Sequence, residues 1–92
     1  MTRRPRYRVD LAPVVEKQLR RLPPGDAARL RGAILALTIG PRPPGTAKVS
    51  GSDYLRLRVG ELRIIYIVDD DDPRVVILKV ARRAESTYRR VG

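Results

Sequence analysis

Apolar and polar residues alternate from Tyr54 to Val59, with Leu55, Leu57 and Val59 on one side and Tyr54, Arg56 and Arg58 on the other. A period of two predicts a half-buried β-strand. Gly60-Glu61 comes next, and glycine at the first central position suits a two-residue hairpin, where positive φ is needed. The apolar run Leu62 to Val68 then returns as a second strand. A turn that tight sets Val59 against Leu62, Arg58 against Arg63, Leu57 against Ile64 and Arg56 against Ile65. Arg56, Arg58 and Arg63 are therefore expected on one side of the hairpin. Like charges directly opposite each other destabilise a sheet. The trio is read either as a site for an anion or as solvated arginines on an open face.

Upstream, Tyr7-Arg8-Val9 predicts a short first strand. Asp10 is the expected N-cap of a helix that tolerates Pro13 in its first turn. Leu11, Val14, Val15, Leu19 and Leu22 recur at helical spacing, and Glu16, Lys17, Arg20 and Arg21 take the outer side. Pro23-Pro24-Gly25 ends this helix. Asp26 is the expected cap of a second one, whose buried stripe is Ala27, Leu30, Ala33, Ile34 and Leu37, and Gly40-Pro41 stops it. Two helices with so short a link predict an antiparallel helical hairpin. Pro41 to Ser52, with three prolines and two glycines, reads as a loop.

Downstream of the β-hairpin, Asp69-Asp70-Asp71-Asp72-Pro73 predicts a solvated turn that discourages edge pairing. Val75 to Ala81 is the last strand, closed by Arg82-Arg83, and Ala84 to Arg90 is read as a final helical turn carrying Tyr88. The expectation is one α+β domain over residues 1–92, in the order β-α-α-β-β-β, with residues 1–6 flexible. The sheet is mainly antiparallel and the helical hairpin covers one face. The other face is open and holds the arginines.

Composition narrows the chemistry. The chain has 92 residues, no Phe, Trp, Cys or His, and four tyrosines, so its core must be aliphatic. Disulfides and thiolate sites are excluded, and a zinc site loses its usual ligands. Adjacent aspartates are not spaced as a calcium loop requires. No apolar run is long enough to span a membrane and no signal core follows a basic segment, so a cytoplasmic protein without membrane contact is expected. The net charge is +10; four of the ten acids lie at Asp69–Asp72, and the remainder of the chain sets twenty bases against six acids. Such a surface attracts nucleic acid, an acidic protein or a membrane surface, and charge alone does not choose among them. The N-terminal cluster Arg3, Arg4, Arg6 and Arg8 also fits a solvated tail.

With RNA as the anion, cleavage by its own 2′-hydroxyl needs a proton acceptor there, a donor at the leaving 5′-oxygen and positive charge around the phosphate. Arginines grip phosphate oxygens well, but their pKa above about 12 makes them poor bases. A tyrosine beside them, Tyr88 or Tyr54, can stack on a base.

Tyr54 to Tyr66, followed by the acidic turn, the apolar strand and Ala-Arg-Arg-Ala-Glu-Ser-Thr-Tyr-Arg at 81–89, resembles the RelE/ParE toxin superfamily. The Pro41–Ser52 segment and the Leu19-Arg20-Arg21-Leu22-Pro23 helix ending are similar to that family too, so the resemblance spans Tyr7 to Arg90. It implies the toxin of a type II toxin–antitoxin pair, neutralised by a small acidic antitoxin and reaching operator DNA only through it. In the RelE branch it implies a ribosome-dependent endonuclease that cuts mRNA in the A site without a metal or other cofactor. Carried onto this chain, the catalytic set becomes Arg56, Arg58, Arg63, Arg83 and Tyr88. Lys48, Tyr54, Arg82 and Arg89 are the further RNA contacts. The family often has lysine at the paired positions held here by Arg56 and Arg58, and some relatives use a loop glutamate that Pro41–Ser52 lacks. Two other readings remain: a ParE-like inhibitor of DNA gyrase, and an inactive autoregulator that only binds its antitoxin.

Overall fold

A computed structural model describes residues 6–82. The elements are β1 (Arg8–Leu11), α1 (Pro13–Arg21), α2 (Pro24–Ala36), β2 (Thr46–Lys48), β3 (Leu55–Val59), β4 (Leu62–Asp69) and β5 (Arg74–Arg82). They build a five-stranded sheet in the order β1-β5-β4-β3-β2. Only β1–β5 is parallel; every other neighbouring pair is antiparallel. The expected α+β class and helix-covered sheet are observed. The final helical turn expected at Ala84–Arg90 lies outside the described residues.

The helix boundaries shift for physical reasons. Asp10 lies in β1 and caps nothing; the chain stays extended to Ala12, whose N–H donates to Ile77 O at 2.9 Å. Pro13 then opens α1, where its missing N–H costs no hydrogen bond. Val15 and Leu19 are buried, whereas Val14, expected in the same stripe, is 46% exposed. Leu22-Pro23 is the whole link between the helices. Pro24 opens α2 for the same reason as Pro13, so Asp26 sits within the first turn instead of capping it. Leu30, Ile34 and Leu37 are buried as expected. The end of α2 tightens, with Leu37 N–H donating to Ile34 O and Thr38 N–H to Leu35 O.

Helix and sheet meet in one apolar cluster: Val15, Leu19, Leu30, Ile34 and Leu37 against Leu57, Leu62, Ile64, Tyr66, Val75, Ile77 and Val80. The core expected to be aliphatic therefore also takes in the fully buried ring of Tyr66. The Gly60-Glu61 hairpin has the register read from its sequence, Val59↔Leu62 through Arg56↔Ile65. Gly60 supplies φ +64°. Two features depart from the sequence reading. Thr46–Lys48, expected as loop, is an edge strand paired with β3; three residues are too few to display an alternation. The β4–β5 ladder also slips between Ile65 and Tyr66, which face Lys79 and Ile77, so Leu78 is an extra residue in β5.

The aspartate turn is tied down and not simply solvated. It joins two interior strands, so it guards no sheet edge. Asp69 Oδ1 accepts from the N–H groups of Asp71 and Asp72. Asp70 binds Arg42 through both oxygens and Tyr7 through one. Among the described residues no helix is long and apolar enough to cross a membrane.

Candidate functional site: a cationic sheet face

Cross-strand partners share a face, so the register decides which side chains meet. Leu57, Ile64 and Val80 point to the helices. Their neighbours along the strands point the other way and form two transverse rows on the open face. One row runs Ala47–Arg56–Ile65–Lys79 and the other Arg58–Arg63–Ala81. Adjacent strands lie about 4.8 Å apart, so Arg58 and Arg63 are direct like-charge neighbours.

None of Arg56, Arg58, Arg63 and Lys79 makes an ion pair among the described residues. Arg63 Nε, like Arg74 Nε, is shielded from solvent and has no hydrogen-bond partner among them, but Arg74 has Asp10 within ion-pair distance and Arg63 has no carboxylate. Buried donors are normally satisfied, so this guanidinium is presented with bonding capacity unused. The arginines at the opposite end of the sheet are neutralised. Arg42 meets Asp70 at 2.9 Å, Arg74 meets Asp10 at 3.7 Å, and Arg8 lies near both Asp10 and Asp72. Asp10, Asp70 and Asp72 thus neutralise arginines at that end of the sheet, whereas no carboxylate pairs with the cations of the two open-face rows among the described residues. Ile65 and Ala81 give these rows a small apolar floor.

The remaining sequence-predicted residues fall in several places. Tyr54 is exposed just ahead of β3, its backbone held by Val49 and Ser52. Lys48 is exposed on edge strand β2 opposite Leu55, beside a cleft of about 280 Å³ that Arg42 and Asp53 also line. Arg82 is drawn to the helix side, where its guanidinium donates to Asp26 at 2.7 Å. It therefore lies on the opposite face from the arginine trio. Arg83, Tyr88 and Arg89 lie outside the described residues.

Lys79 is the residue that sequence reasoning passed over. Strict alternation from Val75 and Ile77 would send it to the core, and the extra Leu78 reverses the parity. The one sequence hint was that Lys79 is the only charge in the run Val75–Ala81; the bulge itself shows only in the structure, where Val80, not Lys79, is buried.

The acidic end is a hydrogen-bonded clamp. Tyr7 Oη donates to Asp70 Oδ1 at 2.7 Å, while Arg42 donates to both Asp70 oxygens at 3.2 and 2.9 Å. Arg42, then Tyr7, hold the Asp70 carboxyl below the usual carboxylate range. The same hydrogen bond pushes the Tyr7 phenol up. Tyr66 is buried with its hydroxyl donating to Pro41 O at 2.6 Å, and burial pushes its phenol up as well. These contacts pin the loop after α2 to the sheet. Chemically, the clamp is structural and the open face is suited to an anion. Its guanidiniums can grip phosphate oxygens in planar, paired contacts.

Comparison with known proteins agrees with this geometry. The family model for the ParE toxin of type II toxin–antitoxin systems matches residues 7–87. RelE1 of Methanocaldococcus jannaschii is 32% identical over 88 residues, covering 91% of this chain and 97% of that protein. A chain of the RelBE2 toxin–antitoxin complex from Mycobacterium tuberculosis superposes with a TM-score of 0.77 at 26% identity, over 87% of this chain and 94% of that one. The archaeal RelE–RelB complex from Pyrococcus horikoshii gives a TM-score of 0.73 at 30% identity, over 86% and 97%.

Proposed function

This chain belongs to the ParE toxin family, within the RelE/ParE superfamily of type II toxin–antitoxin toxins, and from that premise we propose that it is a ribosome-dependent endoribonuclease. The observation that carries the reading is the unpaired cation cluster on the open face. Arg56, Arg58 and Arg63 sit on paired strands with no carboxylate to neutralise them among the described residues. They would hold the scissile phosphate of an mRNA presented in the ribosomal A site. The RNA 2′-oxygen attacks phosphorus, the bond to the 5′-oxygen breaks, and the products are a 2′,3′-cyclic phosphate and a 5′-hydroxyl. The arginines stabilise charge building on the phosphate oxygens, which is often the largest single contribution to catalysis. By family resemblance Arg83 and Tyr88 complete the set, and Tyr54 and Lys48 extend the RNA contact. Arg82, engaged by Asp26 on the helix side, is left out of the phosphate group.

The partner is a cognate antitoxin, as it is for the toxins of the RelBE2 and archaeal RelE–RelB complexes. We assign it the apolar groove of about 300 Å³ between β1 and α2, lined by Val9, Leu11, Leu19, Ile34 and Leu35. Leu35 is 69% exposed there, and β1 is an edge strand.

Gyrase inhibition is the second reading, favoured by the ParE description of the matching family. One experiment separates the two. Purified toxin is incubated with ribosomes carrying an mRNA codon in the A site, and separately with gyrase and supercoiled DNA. A-site cleavage supports the endonuclease; trapped DNA breaks with intact mRNA support the gyrase inhibitor.

A further inference from the structure

The open face carries a fourth cation that differs in kind from the other three. Lys79 faces Ile65 across the β4–β5 ladder, and Ile65 faces Arg56 across β3–β4. With strands about 4.8 Å apart, Lys79 and Arg56 stand about 10 Å from each other on either side of Ile65. Arg63 is the diagonal neighbour of Lys79, within about 8 Å. A lysine stem and two arginine stems rooted at those positions are long enough to reach a single phosphate. The placement depends on the extra residue Leu78: without it Lys79 would point at the helices and Val80 would be exposed.

Cleaving the P–O5′ bond produces an alkoxide, which leaves poorly unless it receives a proton. Guanidinium has effectively no proton to give near neutrality, whereas an ammonium carries a transferable one. Among the described residues Lys79 is the only such donor in the two rows that hold the arginines. Building on the endoribonuclease reading above, we propose that Lys79 is a catalytic residue, the proton donor to the leaving 5′-oxygen. In that step O2′ bonds to phosphorus as the P–O5′ bond breaks, and the Lys79 Nζ proton passes to O5′. The proton lost from O2′ goes to water, and water returns one to Lys79, so the net transfer is from O2′ to O5′.

The test uses the full chain, ribosomes and a synthetic mRNA whose scissile O5′ is replaced by sulfur. A thiolate leaves without a proton, since the thiol pKa is about 8.5. On ordinary mRNA, Lys79→Ala and Lys79→Arg should each cleave about 10²- to 10⁴-fold more slowly than the unmodified chain, the usual share of general acid catalysis. On the 5′-sulfur substrate both should recover to its rate, and thermal melting should be unchanged because Lys79 is exposed. Full activity of Lys79→Arg on ordinary mRNA, or equal losses on both substrates, would overturn the assignment while leaving the nuclease intact. No cleavage of either substrate by the unmodified chain would overturn the nuclease reading and this proposal with it.

Discussion

At the scale of residues, what distinguishes one arginine from another here is whether a carboxylate stands beside it. Arg42 is held by Asp70 in a two-point contact and Arg82 by Asp26, and both are structural. Arg56, Arg58 and Arg63 have the same side chain and no such partner among the described residues. Sequence could place the trio on one face because alternation and a two-residue turn fix it. It could not show which basic residues the aspartates neutralise, since Arg42 and Asp70 meet only through the tertiary fold. The Asp70 clamp has a pH signature. Its folded-state carboxyl lies below the usual range, so the stabilisation is complete above about pH 4 and is lost as the pH falls through the lowered value. Asp70→Asn should therefore lower the melting temperature at pH 7 and do so progressively less as the pH falls below about 4, read by circular dichroism across that range. Removing the Tyr66 hydroxyl should cost about 1 kcal/mol, since Tyr66→Phe keeps the ring but drops the Pro41 hydrogen bond.

At the scale of elements, the hairpin was readable and the bulge was not. Gly60 at φ +64° sets the turn, and the register follows residue by residue. Replacing it by alanine should destabilise the chain by about 1–2 kcal/mol in denaturant melts, because a Cβ is strained at positive φ. The added Cβ would also meet Arg29 Nη1 at 2.7 Å, but that is the mobile end of a side chain and can move. The β5 bulge leaves no comparable trace, since Val75, Val76, Ile77 and Leu78 are all apolar and any parity fits them. Only the buried Val80 next to the exposed Lys79 betrays it. Strand β2 was hidden for a different reason: Thr46, Ala47 and Lys48 pair by backbone at a sheet edge and bury little. The helix starts were misread because aspartate is the commoner cap, while here Pro13 and Pro24 open the helices.

At the scale of the whole molecule, two surfaces lie on opposite sides of one sheet. Helices and β1 frame an apolar groove; the far face carries the cations. That separation predicts that the two can be damaged independently. Leu35→Asp should weaken antitoxin binding about tenfold or more, as loss of a buried anchor does, and leave mRNA cleavage at the unmodified rate. Isothermal titration against the cognate antitoxin, paired with a cleavage assay, reads both. The charge of +10 gives the cationic side its long-range attraction for polyanions and makes binding sensitive to salt.

On the endoribonuclease reading, the cationic face grips the scissile phosphate of ribosome-bound mRNA. The most direct measurement of that grip is single-turnover cleavage in the A site of programmed ribosomes, comparing the unmodified toxin with Arg63→Ala. Specific cuts by the first, slowed about a hundredfold or more in the second as for other preorganised charge-stabilising groups, are the predicted result. Intact mRNA with the unmodified toxin, or an unchanged rate with Arg63→Ala, would contradict it.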